Sequence, residues 1–459
     1  MALTDAQDEL FRVLRDDVDS SRAACGKLDA YYEGEQRLDQ LGLAVPPDLR
    51  RFVTIINWPR MGVDAVEERL DVEGFRLPGQ ESADEALWRI WQANDLDEES
   101  QLAHLDALIY GRAYVCVGAN EEDADTPLVT VESPLEMAVR CDPRTRRVVA
   151  GISRYALGDQ PESGEAATLY LPDVTIWLET SSRTGSGWAE VDRDEHGLGL
   201  PPIVPLRNRP RGGLRSGLTE MKDLIPLTDA AARALTNLQI AQETHAVPQR
   251  YVLGATKGDF VDADGNPLTA WEAYFGTVWA MQNQEAKAGQ FPASDLRNFH
   301  ETVKHYAMLA SGMSGLPPSA FGIATDNPAS ADAIRAAEAR LIKKCERRQR
   351  TWSGSWEQVI RFVERIRTGR WDDDLKRLET LWRDPATPTI AQKADATVKL
   401  VTAGVLPVEA AWEELGYRAG RRETLRAMRA REASDPTLER IARELATPMP
   451  GGSGDDTAG

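Results

Sequence analysis

The chain has 459 residues, which exceeds one ordinary hydrophobic core and predicts two or more lobes or one elongated subunit. Its hydrophobic fraction of 42% and charged fraction of 28% are those of a soluble folded protein, and no run approaches the roughly 18 apolar residues of a transmembrane helix. The net charge of −19 excludes a protein that coats nucleic acid through its overall field. The acidic, amphipathic N-terminal segment predicts no secretion signal, no membrane contact and synthesis in the cytoplasm of the producing cell.

Helical periodicity dominates the first hundred residues. The first helix is expected to end near Gly34. Two acidic helices follow, one begun by a capping box of Ser82 and Glu85 and the other begun by Asp95. Residues 81–106 contain eight acidic side chains and one Arg, a pattern that a solvated helix face explains.

Short β-rich runs separated by turn residues occupy the segment from Gly111 to about Arg207. Their spacing predicts an antiparallel meander. The runs lie at residues 113–117, 128–131, 148–155, 167–171 and 174–178.

Helices return after the β-rich segment. Pro226 suits the first turn of a helix that extends to about His245, and Ser294 is expected to cap a second helix. Residues 247–292, between these helices, are expected to form a small mixed insert. A loop rich in Gly and Pro at residues 312–328 follows the second helix.

The clearest element is one long helix, because apolar residues recur every three or four positions between Ile334 and Ile366. We expect it to cover residues 331–368 and to span roughly 57 Å at 1.5 Å per residue. Gly354, between two serines, is the expected bend. Shorter helices are expected at residues 390–403, 407–415 and 420–446. Residues 448–459 are expected to form a disordered tail.

The residue types and spacings of known catalytic and metal sites are not found. Gly26-Lys27 lacks the remainder of a phosphate-binding loop, and none of the five histidines pairs with another at helical spacing. The Asp-rich turn at residues 262–266 lacks the first ligand of an EF-hand, because Phe260 occupies that position. The four cysteines lie far apart and form no disulfide or zinc motif. We therefore expect no enzymatic activity, no cofactor and no metal.

Two basic clusters contrast with the acidic background. One lies in an extended stretch and comprises Arg207, Arg209, Arg211 and Arg215. The other is the basic half of the long helix, with seven Lys or Arg side chains against three acids between residues 331 and 350. Its candidate contact residues are Arg335, Arg340, Lys343, Lys344 and Arg347. The cluster is a solvated face, a salt-bridge surface for a neighbouring subunit's acidic helix, or a phosphate contact, and the sequence leaves these alternatives open.

Several strings, taken in order, resemble the siphophage-type portal family, the head–tail connectors of tailed bacteriophages. The resemblance covers about Leu28 to Arg431. The strings are Tyr31-Tyr-Glu-Gly34 with Asn57-Trp58, Ile203-Val-Pro-Leu-Arg-Asn208, Gly217-Leu-Thr-Glu220, Asn327-Pro-Ala-Ser-Ala-Asp-Ala333, and Ala403-Gly-Val-Leu-Pro-Val-Glu409 with Glu413-Glu-Leu-Gly416.

The resemblance implies an α+β fold, an elongated portal subunit with a mainly helical wing, stem and crown, a β-rich wing lobe and a small α/β clip. Carried onto this sequence, the parts are the wing at 1–210, the first stem helix at 211–245, the clip at 246–292, the second stem helix at 293–312, the tunnel loop at 313–330, the long kinked wing helix at 331–368, the crown at 369–447 and the disordered tail at 448–459.

The resemblance also implies contact residues outside the long helix. Candidates in the tunnel loop are Gly315, Pro317, Pro318, Asp326, Asn327 and Ser330. Candidates on the clip, where a terminase would dock, are Lys257, Asp259, Asp262 and Asp264.

The implied assembly is a homo-oligomeric ring of about twelve subunits at the portal vertex of the virion, assembled in the host bacterial cytoplasm. Double-stranded DNA would pass through it without sequence readout, and an acidic lining would let that DNA slide. The implied protein partners are terminase, the major capsid and scaffolding proteins, and head–tail adaptors. Three alternatives remain: another ring or tube component of a virion, an enzyme acting on nucleic acid, and a cytoplasmic multi-helix adaptor.

Overall fold

The computed structural model describes residues 3–37, 53–80, 83–158, 164–180, 187–245, 250–254, 287–290, 295–323, 331–386, 390–417 and 419–433. It has the predicted α+β composition. The helices are α1 Asp5–Glu33, α2 Trp58–Glu67, α3 Glu85–Ala93, α4 Leu96–Tyr110, α5 Ile225–His245, α6 Arg297–Ser314, α7 Ala331–Thr368, α8 Ile390–Thr402, α9 Val408–Glu414 and α10 Ala419–Ala433. The strands are β1 Val72–Arg76, β2 Arg112–Gly118, β3 Leu128–Glu132, β4 Met137–Cys141, β5 Val148–Ala156, β6 Glu165–Tyr170, β7 Thr175–Thr180, β8 Ala189–Asp194, β9 Ile203–Arg207, β10 Arg250–Leu253, β11 Lys287–Gln290 and β12 Glu379–Trp382.

The main core surrounds the long helix α7, which covers the predicted residues. Most of its described apolar side chains at helical spacing are buried, among them Trp352 and Trp356. Trp356 packs edge-on against Trp91 of α3, with ring centroids 5.0 Å apart. Its indole N–H donates to Nε2 of the buried His104 on α4, at 3.0 Å. Burying large apolar side chains stabilises the fold by roughly 1.5–3 kcal/mol each, so the tryptophans hold α7 together with its buried aliphatic residues, among them Leu341, Val359 and Val363.

The β-rich segment forms two sheets rather than the single meander that the sequence predicted. Strands β4 to β8 do form a five-stranded antiparallel meander in chain order. Strand β2, however, lies between β3 and β9 in a separate antiparallel sheet. Nearly every residue of β2 is buried, because α4 and α7 cover one face and Met137 and Tyr170 of the five-stranded sheet pack against Tyr114 and Cys116 on the other. A strand buried on both faces lacks the alternating pattern that marks a meander.

Helix α1 covers the five-stranded sheet. Phe11, Leu14 and Val18 pack against a cluster that includes Ile152 and Leu169. The helix begins with a capping box in which the Thr4 hydroxyl accepts from a backbone N–H, and it ends at Gly34 as predicted. The N-terminal helix and the sheet therefore form one lobe.

Helices α5 and α6 pack side by side as a hairpin. Beyond α5, strand β10 pairs antiparallel with β11 ahead of α6. The small residues Ala231, Ala307 and Ala310 are buried at the base of the hairpin, beside Trp58 and Leu224. Among the described residues, no helix has the length and apolar character needed to cross a membrane.

Two helix starts differ from the sequence prediction. Helix α3 is capped by Asp84, whose side chain accepts from two backbone N–H groups, rather than by Ser82. Helix α6 begins at Arg297 without a side-chain cap, because Asp295 instead forms a local turn that accepts from the backbone N–H of Arg297. In both cases an Asp side chain accepts from backbone N–H groups at the helix start, while Ser82 and Ser294 lie outside the described residues.

The chain after α7 returns to the main core before it reaches the C-terminal helices. Strand β12 pairs antiparallel with β1, and Leu375 and Leu378 are buried in the main core. Helices α8, α9 and α10 then pack on one another, with an Arg422–Glu413 ion pair at 2.9 Å. Helix α10 is described to Ala433, so the rest of the predicted 420–446 helix and the 448–459 tail lie outside the described residues.

Candidate functional site at the basic half of the long helix

A buried ion cluster forms where α7 crosses the segment that leads into α5. Glu220 is the central residue, with a side chain 2% exposed. Its carboxylate accepts hydrogen bonds from the guanidinium of Arg348 and, at 3.0 Å, from Nζ of Lys344. Asn208 completes the cluster, because its side-chain oxygen accepts from Nε of Arg348 at 3.0 Å. Both cations of α7 are thus held by groups of the same chain.

Local backbone geometry places Glu220 in this position. Gly217 lies at φ +93°, in the left-handed region, and a Cβ atom there would be 1.9 Å from the carbonyl oxygen of Gly111. Only glycine permits this approach. The side-chain amide of Asn208 then donates to the carbonyl oxygen of Leu218 at 2.8 Å, and Thr219 caps the short turn that carries Glu220. The string at 217–220 is therefore a tight connection that delivers one carboxylate to the long helix.

The electrostatic balance at Glu220 favours its charged form. Burial by itself would raise the pKa of this carboxyl, but the attraction of Arg348 and Lys344 outweighs burial and lowers the pKa below its usual value. The carboxylate therefore stays ionised at neutral pH, and each of its oxygens has a cationic donor. A buried charge with this complement of partners is a structural element rather than a free acid or base.

The end of α6 is also fastened to α7. Lys344 donates from Nζ to the carbonyl oxygen of Ser314, and Arg340 donates to that of Gly312. Gly315 ends α6 at φ +79°, and a Cβ atom there would lie 3.2 Å from Cγ of Arg340. These bonds satisfy carbonyl groups that a helix leaves unpaired at its C-terminus.

A cleft of about 380 Å³ lies over this cluster. Its outer rim carries Arg209, Lys343 and Arg347, while Met313 supplies an apolar wall. Arg209 faces Asp223 at 3.4 Å, and the side chain of Lys343 is 60% exposed. Six cations and two acids line the cleft, so its local charge is positive although the whole chain is strongly negative.

The other basic cluster of the sequence borders a second, more open depression of about 410 Å³. Arg207, Arg211 and Arg215 lie on one side of it, and Thr351 and Ser355 of α7 lie on the other. Trp352 anchors this segment by donating its indole N–H to the carbonyl oxygen of Arg207 at 3.0 Å. The cluster of Arg207, Arg211 and Arg215 therefore lies beside the turns of α7 that directly follow the basic half of that helix.

The predicted site residues divide into three groups. Arg340, Lys343, Lys344 and Arg347 all line the cleft, but Lys344 is tied into the buried cluster. Gly315, Pro317 and Pro318 lie just after α6, the latter two in a short turn of 3₁₀ helix and its cap. The side chain of Arg335, together with Lys257, Asp259, Asp262, Asp264, Asp326, Asn327 and Ser330, lies outside the described residues.

Sequence reasoning did not identify Glu220 or Asn208 as site residues. A signal was present, because Arg348 falls on the same helical stripe as the buried tryptophans of α7. A charged residue on a buried stripe requires a charged or polar partner. The sequence cannot locate that partner, since Glu220 is 128 residues away.

His104 is the histidine that lies in the main core. His104 is fully buried, stacks on Trp352 at 4.8 Å between ring centroids, and accepts from Trp356. Burial lowers its pKa to about 3, so it is neutral. Within the described segments, His, Cys, Asp and Glu side chains form no group of three or more that could hold a metal ion.

Comparison with known proteins places the chain in one family. Residues 12–436 match the family described as "Phage portal protein, SPP1 Gp6-like". The portal protein of Mycobacterium phage D29 is 39% identical over 440 residues, covering 94% of this chain and 89% of that protein. The portal protein of Mycobacterium phage L5 is 39% identical over 444 residues, covering 92% and 90%.

Two solved structures show weaker similarity. A chain of the virion of a native gene transfer agent particle aligns with a TM-score of 0.44 and 16% identity, covering 83% of this chain and 92% of that one. A chain from the neck of an empty particle, computed with C6 symmetry, gives 0.46 and 15%, covering 82% and 91%. Family membership rests on the sequence matches alone, and by those matches this chain belongs to the SPP1 Gp6-like family of phage portal proteins.

Proposed function

We propose that this chain forms a closed ring of about twelve copies at one vertex of a phage capsid and serves as the channel for packaging and ejection of double-stranded DNA. The observation that carries the proposal is the family match over residues 12–436, together with 39% identity to portal proteins across nearly the whole chain. Terminase, the capsid and scaffolding proteins, and head–tail adaptors are its proposed protein partners, and the virion is its proposed location.

The fold supports an assignment of parts. The lobe of α1 and the β-sheets, with α7, corresponds to the wing, and the α5–α6 hairpin corresponds to the stem. The ribbon of β10 and β11 belongs to the clip, of which the remainder lies outside the described residues. We place the tunnel loop at 313–330, as in the sequence-based assignment. We start the crown near residue 390 rather than 369, because β12 pairs with β1 in the main core.

We further propose that the chain has no enzymatic activity of its own. In the buried Glu220 cluster each carboxylate oxygen already has a cationic donor, so this acid serves as a structural group. ATP hydrolysis would then belong to the docking terminase.

The test combines size-exclusion chromatography and negative-stain electron microscopy of the purified chain with ATPase and nuclease assays. Rings of about twelve subunits with a central hole and no hydrolysis of either substrate are expected. A compact monomer or dimer at all protein concentrations, or hydrolysis that co-purifies with the chain, would contradict the proposal.

A further inference from the structure

The exposed cations of α7 form a surface that is separate from the buried Glu220 cluster. Lys343, Arg347 and Arg350 are spaced by four and three residues, so they lie on one face of the helix. All three are exposed. Lys343 pairs with its helix neighbour Glu346 through an exposed ion pair that contributes little to stability. We call these three residues the basic face.

Apolar side chains border the basic face. Met313 lines the same cleft as Lys343 and Arg347 and is 48% exposed. Leu309, four residues earlier on α6, is 40% exposed on the same side of that helix. Cations beside exposed methionine and leucine are typical of protein–protein interfaces, where Arg and Met are enriched, whereas surfaces that contact DNA phosphates are mainly polar.

A complementary surface lies elsewhere on the chain. Glu98 of α4 and the loop residues Glu122 and Asp123 are exposed, and we call them the acidic face. Asn94 joins the two segments, because its side chain donates to the carbonyl oxygen of Pro127 at 3.1 Å and accepts from the backbone N–H of Val129.

The acidic face is also bordered by exposed apolar side chains. Leu102, four residues after Glu98 on α4, is 47% exposed, and Leu128, next to the acidic loop, is 49% exposed. Each face therefore combines one sign of charge with two exposed apolar side chains.

The two faces lie toward opposite halves of α7. The acidic face lies toward the C-terminal half of this helix, because Trp91 packs on Trp356 and donates its indole N–H to Asp97, the neighbour of Glu98. The other end of α4 lies beside Glu220, where the carbonyl oxygen of Leu108 accepts from the Thr219 hydroxyl. Lys343 and Trp356 are thirteen residues apart, which corresponds to roughly 20 Å along the helix axis. The basic face is too far from the acidic face of its own chain to contact it. Complementary charges in these two positions therefore favour contact between two copies of the chain. Such a head-to-tail contact repeats and closes into a ring where the rotation permits.

We infer that the basic face of one copy docks on the acidic face of the next copy and that this contact builds the ring. The inference rests on the proposed ring function and assigns residues to its subunit interface. Charge complementarity orients the two copies, and the leucine and methionine side chains provide apolar area at the contact.

The test uses two charge-reversal variants, analysed by sedimentation velocity at low ionic strength. One carries Lys343→Glu, Arg347→Glu and Arg350→Glu, and the other carries Glu98→Lys, Glu122→Lys and Asp123→Lys. Each variant alone is expected to associate more weakly than the wild type, by on the order of 100-fold, because like charges then meet at every contact. An equimolar mixture is expected to restore rings, because every contact between unlike variants again joins opposite charges.

A control variant applies the same change in net charge elsewhere. Lys27, Arg421 and Arg429 are exposed on α1 and α10, and their reversal to Glu is expected to leave the rings intact. Circular dichroism establishes that each variant is folded. Since the altered side chains are exposed, their melting temperatures are expected to stay near that of the wild type.

Three outcomes would overturn the inference. If the basic-face variant forms rings as stable as those of the wild type, the basic face does not contribute to the subunit contact. Intact variant rings that fail to package DNA would show that the face meets phosphate instead. Two variants that lose rings but do not restore each other in a mixture would contradict the pairing. A wild-type chain that stays monomeric under all conditions would instead refute the proposed ring function itself.

Discussion

At the scale of single residues, the basic half of α7 has two different roles. Lys344 and Arg348 point inward to Glu220, whereas Lys343 and Arg347 lie on the exposed rim. The sequence presents all four as one basic cluster. A reversal of Lys344 would therefore disrupt the fold rather than report on a DNA or subunit contact.

Removal of one partner from the buried Glu220 cluster should lower the free energy of unfolding. Arg348→Met leaves the Glu220 carboxylate buried with Lys344 as its remaining cation, and we expect the free energy of unfolding to fall by about 3–5 kcal/mol. The matched control is Arg429→Met, an exposed position on α10 outside the proposed subunit contact, for which a change within about 0.5 kcal/mol is expected. Urea denaturation measures both. Equal losses for the two variants would contradict the role assigned to the cluster.

The buried His104 should make stability depend on pH. Its pKa is about 3 in the folded chain, below the value near 6.5 of an unfolded histidine, so the unfolded state binds the proton more readily. The stability that it contributes is present above pH 6.5 and is lost as the pH falls below that value. Between pH 7 and pH 5 this single group should lower the free energy of unfolding by about 2 kcal/mol.

The variant His104→Gln serves as the comparison for this prediction, because the amide oxygen can still accept from Trp356 without titrating in this range. Denaturation at both pH values should show a smaller pH dependence in the variant. An unchanged dependence would assign the effect to other groups.

At the scale of secondary-structure elements, the sequence predicted an element correctly where one hydrophobic periodicity dominated. The helix at 331–368 was predicted correctly, because its apolar spacing is continuous over ten turns. The predicted starts of α3 and α6 were wrong, because several Asp and Ser residues near each start are equally good cap candidates by sequence and only the folded backbone selects among them. The division of the β-rich segment into two sheets could not be predicted, since strand partners depend on distant segments, helices on one face of β2 and the five-stranded sheet on the other.

Gly354 offers a test at this scale. The structure keeps α7 helical through Gly354, and a Cβ atom there would meet nothing within 4 Å. Gly354→Ala is therefore expected to stabilise the chain by about 0.5–1 kcal/mol, because alanine loses less backbone entropy in a helix. Thermal and urea denaturation measure the change. A loss of stability or of ring assembly would show instead that the bend expected from the sequence is required at this glycine.

At the scale of the whole molecule, the net charge of −19 bears on how the chain would handle DNA. In the proposed ring most exposed cations of α7 would be covered by the acidic face of a neighbour. We expect purified rings to show no retention of double-stranded DNA at about 150 mM salt, because phosphate binding requires many uncovered cations. An electrophoretic mobility assay measures this, with a basic DNA-binding protein as the control. Tight binding with a steep salt dependence would indicate a positively charged channel.

The sequence by itself determined the α+β class, the long helix and the family, because periodicity and characteristic strings are local properties of the chain. Only the tertiary structure decided which basic residues are buried. Glu220 is 128 residues from Arg348 and meets it because Gly217 permits a close backbone approach and Asn208 holds the connection. Charge and spacing along a helix show which residues share a face. Whether that face meets solvent or a buried carboxylate depends on distant segments that the local pattern does not encode.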